Sequence, residues 1–106
     1  MKRKDWTAAR AKVDDEGECR VCGVAQSSVE PLEAAHIWPR SLGGTQDPNG
    51  IVPLCQRCHG QFDAHHLNLG HVLTTDEQVE LVRQCGSLGL AMRRVYPIDY
   101  RERRAA

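Results

Sequence analysis

The sequence is short of aromatic side chains. Five (Trp6, Trp38, Phe62, Tyr96 and Tyr100) make up 5% of 106 residues. A chain this long forms one domain and buries only about two thirds of its unfolded surface. Two independent cores are therefore excluded, and so few bulky groups call for a further staple. No apolar run approaches the roughly 18 residues of a membrane span, and the charged opening lacks the apolar stretch of a secretory signal. A cytoplasmic, reducing compartment is expected. Repeats and low-complexity tracts are absent. So is a net charge, since 14 basic residues balance 14 acidic ones.

That balance is uneven along the chain. Lys2, Arg3, Lys4, Arg10 and Lys12 outnumber Asp5 near the start, and Arg83, Arg93, Arg94, Arg101, Arg103 and Arg104 outnumber Asp99 and Glu102 near the end. The middle is acidic and holds all five histidines. Two basic ends of this kind can attract a polyanion.

Cysteine is the residue type that stands out. In a reducing compartment five cysteines point to metal ligands or buried thiols rather than disulfides. Cys19 and Cys22 form one C-x2-C pair and, after 32 intervening residues, Cys55 and Cys58 form another. Two such knuckles supply the four thiolates of a closed tetrahedral Zn2+ site, which would contribute several kcal/mol or more to folding. Cys85 lies outside this pattern and reads as a small buried apolar residue.

The coarse element reading places a short helix at about 6–13, ended by Asp14, Asp15, Glu16 and Gly17. A strand is expected over Leu32–Trp38, stopped by Pro39, then a loop over Ser41–Gly50 and a second strand over Ile51–Leu54. A helix over His59–His66 puts His59, Phe62, Asp63 and His66 at three- and four-residue spacing. Thr75-Asp76-Glu77-Gln78 has the form of a capping box for a helix at about 76–85, with Gly86 at its far end. A last helix is expected at about 88–95 before Pro97, and a solvated tail over 99–106.

Between the knuckles lie Ala35-His36-Ile37-Trp38-Pro39-Arg40-Ser41-Leu42-Gly43-Gly44, then Asp47-Pro48-Asn49-Gly50, then Leu54-Cys55-Gln56-Arg57-Cys58-His59. With His, Asn and His in this order beside both knuckles, the chain resembles the HNH endonuclease family over about Cys19 to Asp63. The resemblance implies an α+β fold: a ββα-metal (His-Me finger) core at about 19–66, stapled by the four-cysteine zinc, with flanking helices at both ends. It also implies a divalent-metal-dependent endonuclease or nickase that hydrolyses DNA, expected to be double-stranded, to 5′-phosphate and 3′-hydroxyl ends. In that correspondence His36 is the general base, a role suited to a side chain that titrates near neutrality. Asn49 braces the loop that orients the base, with Gly50 as the alternative register. His59 binds the catalytic cation (Mg2+, Mn2+, Ni2+ or Zn2+), and Asp63, one helical turn on, is its second ligand. Arg40 and Arg57 are candidates for phosphate contacts.

There is one departure from the family pattern. Many members carry Asp or His just before the general base as a metal ligand, and here that position is Ala35. Asp63 is the preferred replacement, with Asp47 and Glu33 as alternatives. Ala35 also favours a rival reading, a non-catalytic zinc-binding module that recognises nucleic acid. A third reading is an interaction domain that docks through its C-terminal helices. Small HNH proteins of phages and prophages are similar in form, which suggests a bacterial or phage-infected host cell and phage packaging proteins as partners.

Overall fold

The computed structural model describes residues 6–100. The first helix, α1 (Thr7–Glu16), buries Ala9 and Val13 on the face expected from their spacing. It runs one turn further than its sequence suggests, because Asp14 and Glu16 face outward and are paired. Asp14 takes Arg10 at 3.0 Å and Glu16 takes Arg20 at 2.7 Å. Gly17 ends it instead, in the left-handed conformation (φ 69°), with its N–H on the Val13 carbonyl.

The two expected strands pair antiparallel. β1 (Glu33–His36) lies against β2 (Ile51–Leu54) with Glu33 opposite Leu54 and His36 opposite Ile51. β1 is shorter than the expected 32–38. After Ile37, whose N–H reaches the Gly50 carbonyl, the chain turns at Pro39 into a 3-10 turn, Arg40–Leu42, fastened by the Trp38 indole N–H on the Leu42 carbonyl. Gly44 closes this turn where a Cβ would collide with the Trp38 carbonyl, so the loop tolerates no side chain there. A second 3-10 turn, Pro48–Gly50, leads into β2.

The next helix, α2 (Gln56–Asp63), starts three residues before the expected His59 and stops before His66. Its N-cap is Cys55, whose Sγ accepts from the Cys58 N–H at 3.4 Å. A knuckle cysteine thus doubles as a cap, a role that cap preferences based on Ser, Thr, Asp and Asn do not anticipate. Phe62 and Cys58 face the core, where Leu32, Ile37, Ile51, Leu54 and Leu69 are also buried.

A third 3-10 turn, Gly70–Val72, precedes α3 (Thr75–Cys85) and α4 (Leu88–Val95). The capping box of α3 sits one residue earlier than expected. Thr74 accepts from the Glu77 N–H at 3.2 Å, and the Glu77 carboxylate accepts from the Thr74 N–H at 2.8 Å. Both Thr74 and Thr75 start a matching pattern, and what selects Thr74 is the burial of Glu77 (1% exposed) against Lys12 at 2.6 Å and Arg20 at 2.8 Å. Cys85 is half-buried, with its thiol on the Ser87 carbonyl at 3.2 Å. Residues 97–100 are helical, and Asp99 accepts from Asn68, so the expected tail is anchored where it begins; its remainder, 101–106, lies outside the described residues.

The same contacts employ several cations of the two basic ends. Lys12 also donates to the Pro48 and Ile51 carbonyls, Arg10 is held by Asp14, Gln26 and the Leu32 carbonyl, Arg83 pairs with Glu80, and Arg94 is buried. These cations take part in fastening the fold. Lys2, Arg3, Lys4, Arg101, Arg103 and Arg104 lie outside the described residues.

Burial would raise the Glu77 carboxyl, but hydrogen bonds from Arg20 and Lys12 override it and hold it at about 2, against an ordinary 4.5. A depressed folded value means that the stabilisation is present above about pH 4.5 and is lost as pH falls towards about 2. Glu77→Gln leaves two cations facing a neutral group and is expected to lower the unfolding free energy by about 3 kcal/mol at pH 7. Urea titrations of both proteins check this, and the gap between them should narrow below pH 4.5.

Candidate active site and four-thiol centre

The two knuckles meet beside the hairpin. The turn at Cys19–Gly23 is closed by the Cys19 N–H on the Val24 carbonyl and tied to β2 by the Arg20 N–H on the Pro53 carbonyl. All four Sγ atoms, from Cys19, Cys22, Cys55 and Cys58, lie within 4.8 Å of one another. Cys22 Sγ and Cys55 Sγ are 3.7 Å apart. Thiolates about 2.3 Å from one tetrahedral zinc stand about 3.8 Å from each other, so the cluster has the dimensions of a single metal site. Burial opposes ionisation of Cys19, but the backbone N–H groups of Cys22, Cys55 and Val21 outweigh it and bring the thiol down to about 6. Burial and the neighbouring sulfurs push Cys58 up. Four thiolates cannot share so small a volume without a cation, which is the electrostatic demand a bound metal meets.

On the other side of α2, a cleft of about 520 Å³ is lined by His36, Arg40, His59, Asp63, His65 and Arg94, among others. His36 ends β1, and its ring meets that of Trp6 edge-on at 5.2 Å. His59 and Asp63 share the open face of α2, with His59 Nε2 3.3 Å from Asp63 Oδ2. The other ring nitrogen, Nδ1, lies 2.8 Å from Glu33 Oε1. A histidine gripped by a carboxylate through one nitrogen has its tautomer fixed and presents the other nitrogen as a ligand. Two ligands about 2.1 Å from one cation stand about 3.0–3.4 Å apart, which is the spacing of His59 Nε2 and Asp63.

The remaining sequence-predicted residues divide. Arg40 reaches the cleft and Asn49 does not: Asn49 gives its N–H to Asp47 Oδ1 and borders a separate groove with Lys12 and Glu77. It is the neighbouring Gly50 carbonyl that joins the segment after His36, through Ile37. Asp47 is the cap of that turn and lies away from the cleft. Arg57 is on the thiol side of α2, raised by a hydrogen bond to Cys22 and by the charge of Cys58. His65 enters the cleft from the end of α2 in a left-handed conformation (φ 63°), whereas His66 and His71 are exposed. Ala35 is fully buried in the core, and Glu33, two residues earlier, is the strand carboxylate that reaches His59.

Arg94 is the residue that sequence patterning missed. It comes from α4, is 8% exposed, donates through Nε to the Ile37 carbonyl at 2.9 Å and through Nη2 to Asp63 at 3.3 Å, and lies 4.0 Å over the Phe62 ring. Burial pulls its guanidinium below the ordinary value, and the bond to Asp63 opposes that. Nothing in the run Met92-Arg93-Arg94 separates this buried arginine from its exposed neighbour; only the helical phase of α4 does.

Comparison with known families matches residues 19–69 to the HNH endonuclease family. This segment, just under half of the chain, is similar to that family. No curated protein and no solved structure gives a match. The HNH segment spans both knuckles, the hairpin and α2, and so includes His36, His59 and Asp63 but stops short of α3 and α4. An HNH domain points to nuclease activity on a nucleic acid and agrees with the α+β architecture and the metal-ready thiols. Among the described residues no helix is long and apolar enough to cross a membrane.

Arg94 therefore couples a helix outside the matched segment to the cleft inside it. Arg94→Met keeps much of the packing and removes the donors to Ile37 and Asp63. It is expected to cost about 2–3 kcal/mol in urea unfolding, against under about 0.5 kcal/mol for Arg93→Met.

Proposed function

We propose that the protein is a divalent-metal-dependent DNA endonuclease or nickase, with Zn2+ in the four-thiol cluster as its structural staple. The observation that carries this reading is the convergence of His36, His59 and Asp63 in one cleft, with Glu33 fixing the ring of His59. β1 supplies Glu33 and His36 and α2 supplies His59 and Asp63, in elements that follow the order β1, β2, α2 of a ββα-metal core.

His59 Nε2 and Asp63 would hold the catalytic cation, leaving its other positions to water and a phosphate oxygen, as Mg2+ commonly requires. Bound there, the cation supplies charge stabilisation at the scissile phosphate and at the departing 3′ oxygen. His36 takes a proton from the attacking water. Arg40, on the 3-10 turn above the cleft, faces a flanking phosphate and fixes the strand's position. Arg94 keeps Asp63 and the Ile37 carbonyl in place, which sets the distance between the base and the metal ligands. In-line attack then leaves a 5′ phosphate and a 3′ hydroxyl. One chain has one such cleft and nicks one strand per event.

A second reading, a zinc-binding nucleic-acid recognition module without catalysis, is favoured by Ala35, which brings no ligand to the cleft. Supercoiled plasmid separates the two. Wild type with Mg2+, Mn2+ or Ni2+ is expected to give relaxed circles, and His36→Ala is expected to slow this by about 10²–10⁴-fold at equal zinc content. His59→Ala and Asp63→Ala should raise the cation concentration needed. Salt-sensitive DNA binding with no product under any of the three cations supports the recognition module.

A further inference from the structure

Resting on the reading of the cleft as a DNA site, we propose that the apolar groove beside it takes an unpaired nucleobase of the strand being cut. This makes DNA with an unpaired or easily unpaired base the preferred substrate class.

The groove, about 440 Å³, is lined by Trp38, Pro39, Leu42, Leu90, Pro97 and Tyr100. It is continuous with the cleft, because Pro39, Leu42, His65 and Arg94 border both. A strand whose phosphate lies between His36 and Asp63 therefore has this groove within reach of a flanking base. The lining is apolar and has cations at its rim: Arg93, whose guanidinium lies 5.6 Å over the Tyr100 ring, and, across the shared wall, Arg40. An aromatic platform with arginines at its rim suits a nucleotide, whose base stacks and whose phosphate meets the charges. It suits an apolar peptide less well, since apolar side chains bring no anionic group to the arginines. Leu42 and Leu90 stand 62% and 45% exposed at its lip, a large apolar exposure for a domain so poor in bulky side chains. In a paired duplex the bases are stacked inside and unavailable, so occupation of the groove requires one base to leave the stack.

The test is fluorescence anisotropy of the full chain, without added Mg2+ or Mn2+, on oligonucleotides that carry the same phosphates: a single strand, the same strand with one abasic position at each site in turn, and the intact duplex. The single strand should bind about 10-fold or more tightly than the strand abasic at one particular position. Tyr100→Leu, which keeps the apolar bulk and removes the ring face, should erase that difference while leaving affinity for the abasic strand unchanged. Tyr100→Phe should preserve it. Equal affinity for base-bearing and abasic strands, or a Tyr100→Leu protein that still discriminates, overturns the proposal. So does a concentration-dependent dimer that Tyr100→Leu dissolves, which would assign the groove to a second copy. Nicking of plasmid in Mg2+ or Mn2+ keeps the two claims apart. Base discrimination without nicking upholds the groove and sinks the nuclease reading, and nicking without base discrimination does the reverse.

Discussion

The convergence of four thiols from two distant knuckles is the constraint on which the remainder of the structure depends. Cys19 and Cys22 sit just after α1, and Cys55 and Cys58 straddle the junction between β2 and α2. Bringing them within 4.8 Å closes a loop of 32 residues and so folds β1 back onto β2. It also sets where α2 begins, since Cys55 is both a member of the cluster and the N-cap. Once that start is fixed, helical phase does the rest. Cys58 and Phe62 point inward, while His59 and Asp63 point into the cleft on the opposite side. Four thiolates crowded this closely repel one another unless a cation lies among them, so a metal bound there would couple folding to metal loading.

A second fastening, built from charge, compensates for the scarcity of aromatic packing. Glu77 in α3 receives Lys12 from α1 and Arg20 from the first knuckle, and Arg94 in α4 receives Asp63 from α2 and the carbonyl after His36. These interactions tie the helices outside the matched HNH segment to the hairpin and to the cleft. Buried ion pairs of this kind add less net stability than apolar packing of equal volume, but they fix register, because an unmatched partner is costly. Here the register they fix is that of the cleft: the position of His36 against Asp63.

How far the sequence disclosed this depends on whether a residue's role is local. The knuckles, the strand Ile51–Leu54, the helix Leu88–Val95 and the pairing of His59 with Asp63 are all set by spacing within a few residues, and each was legible. The start of α2 was not, because a cysteine capping its own helix carries no signal in cap preferences. The capping box slipped by one residue because Thr74 and Thr75 offer the same pattern, and the choice is made by Lys12 and Arg20 far away in the chain. Asn49, expected to brace the loop that orients the base, gives its N–H to Asp47 and borders the groove of Lys12 and Glu77. Glu33 and Arg94 act on the cleft through contacts across 26 and 31 residues, which no local pattern reveals. A charge count likewise does not show that Arg10, Lys12, Arg83 and Arg94 already have partners.

The central claim is that the four thiols bind one metal and that this binding forms the fold carrying the cleft. Titration of metal-stripped, reduced protein with Co2+ measures both at once, through thiolate-to-cobalt absorption and far-UV circular dichroism in the same cuvette. The account predicts that the tetrahedral thiolate bands and the helical signal rise together and saturate at one equivalent, and that Cys55→Ser removes both. A stripped protein that is already fully helical, or absorption that saturates while the helical signal stays flat, contradicts it.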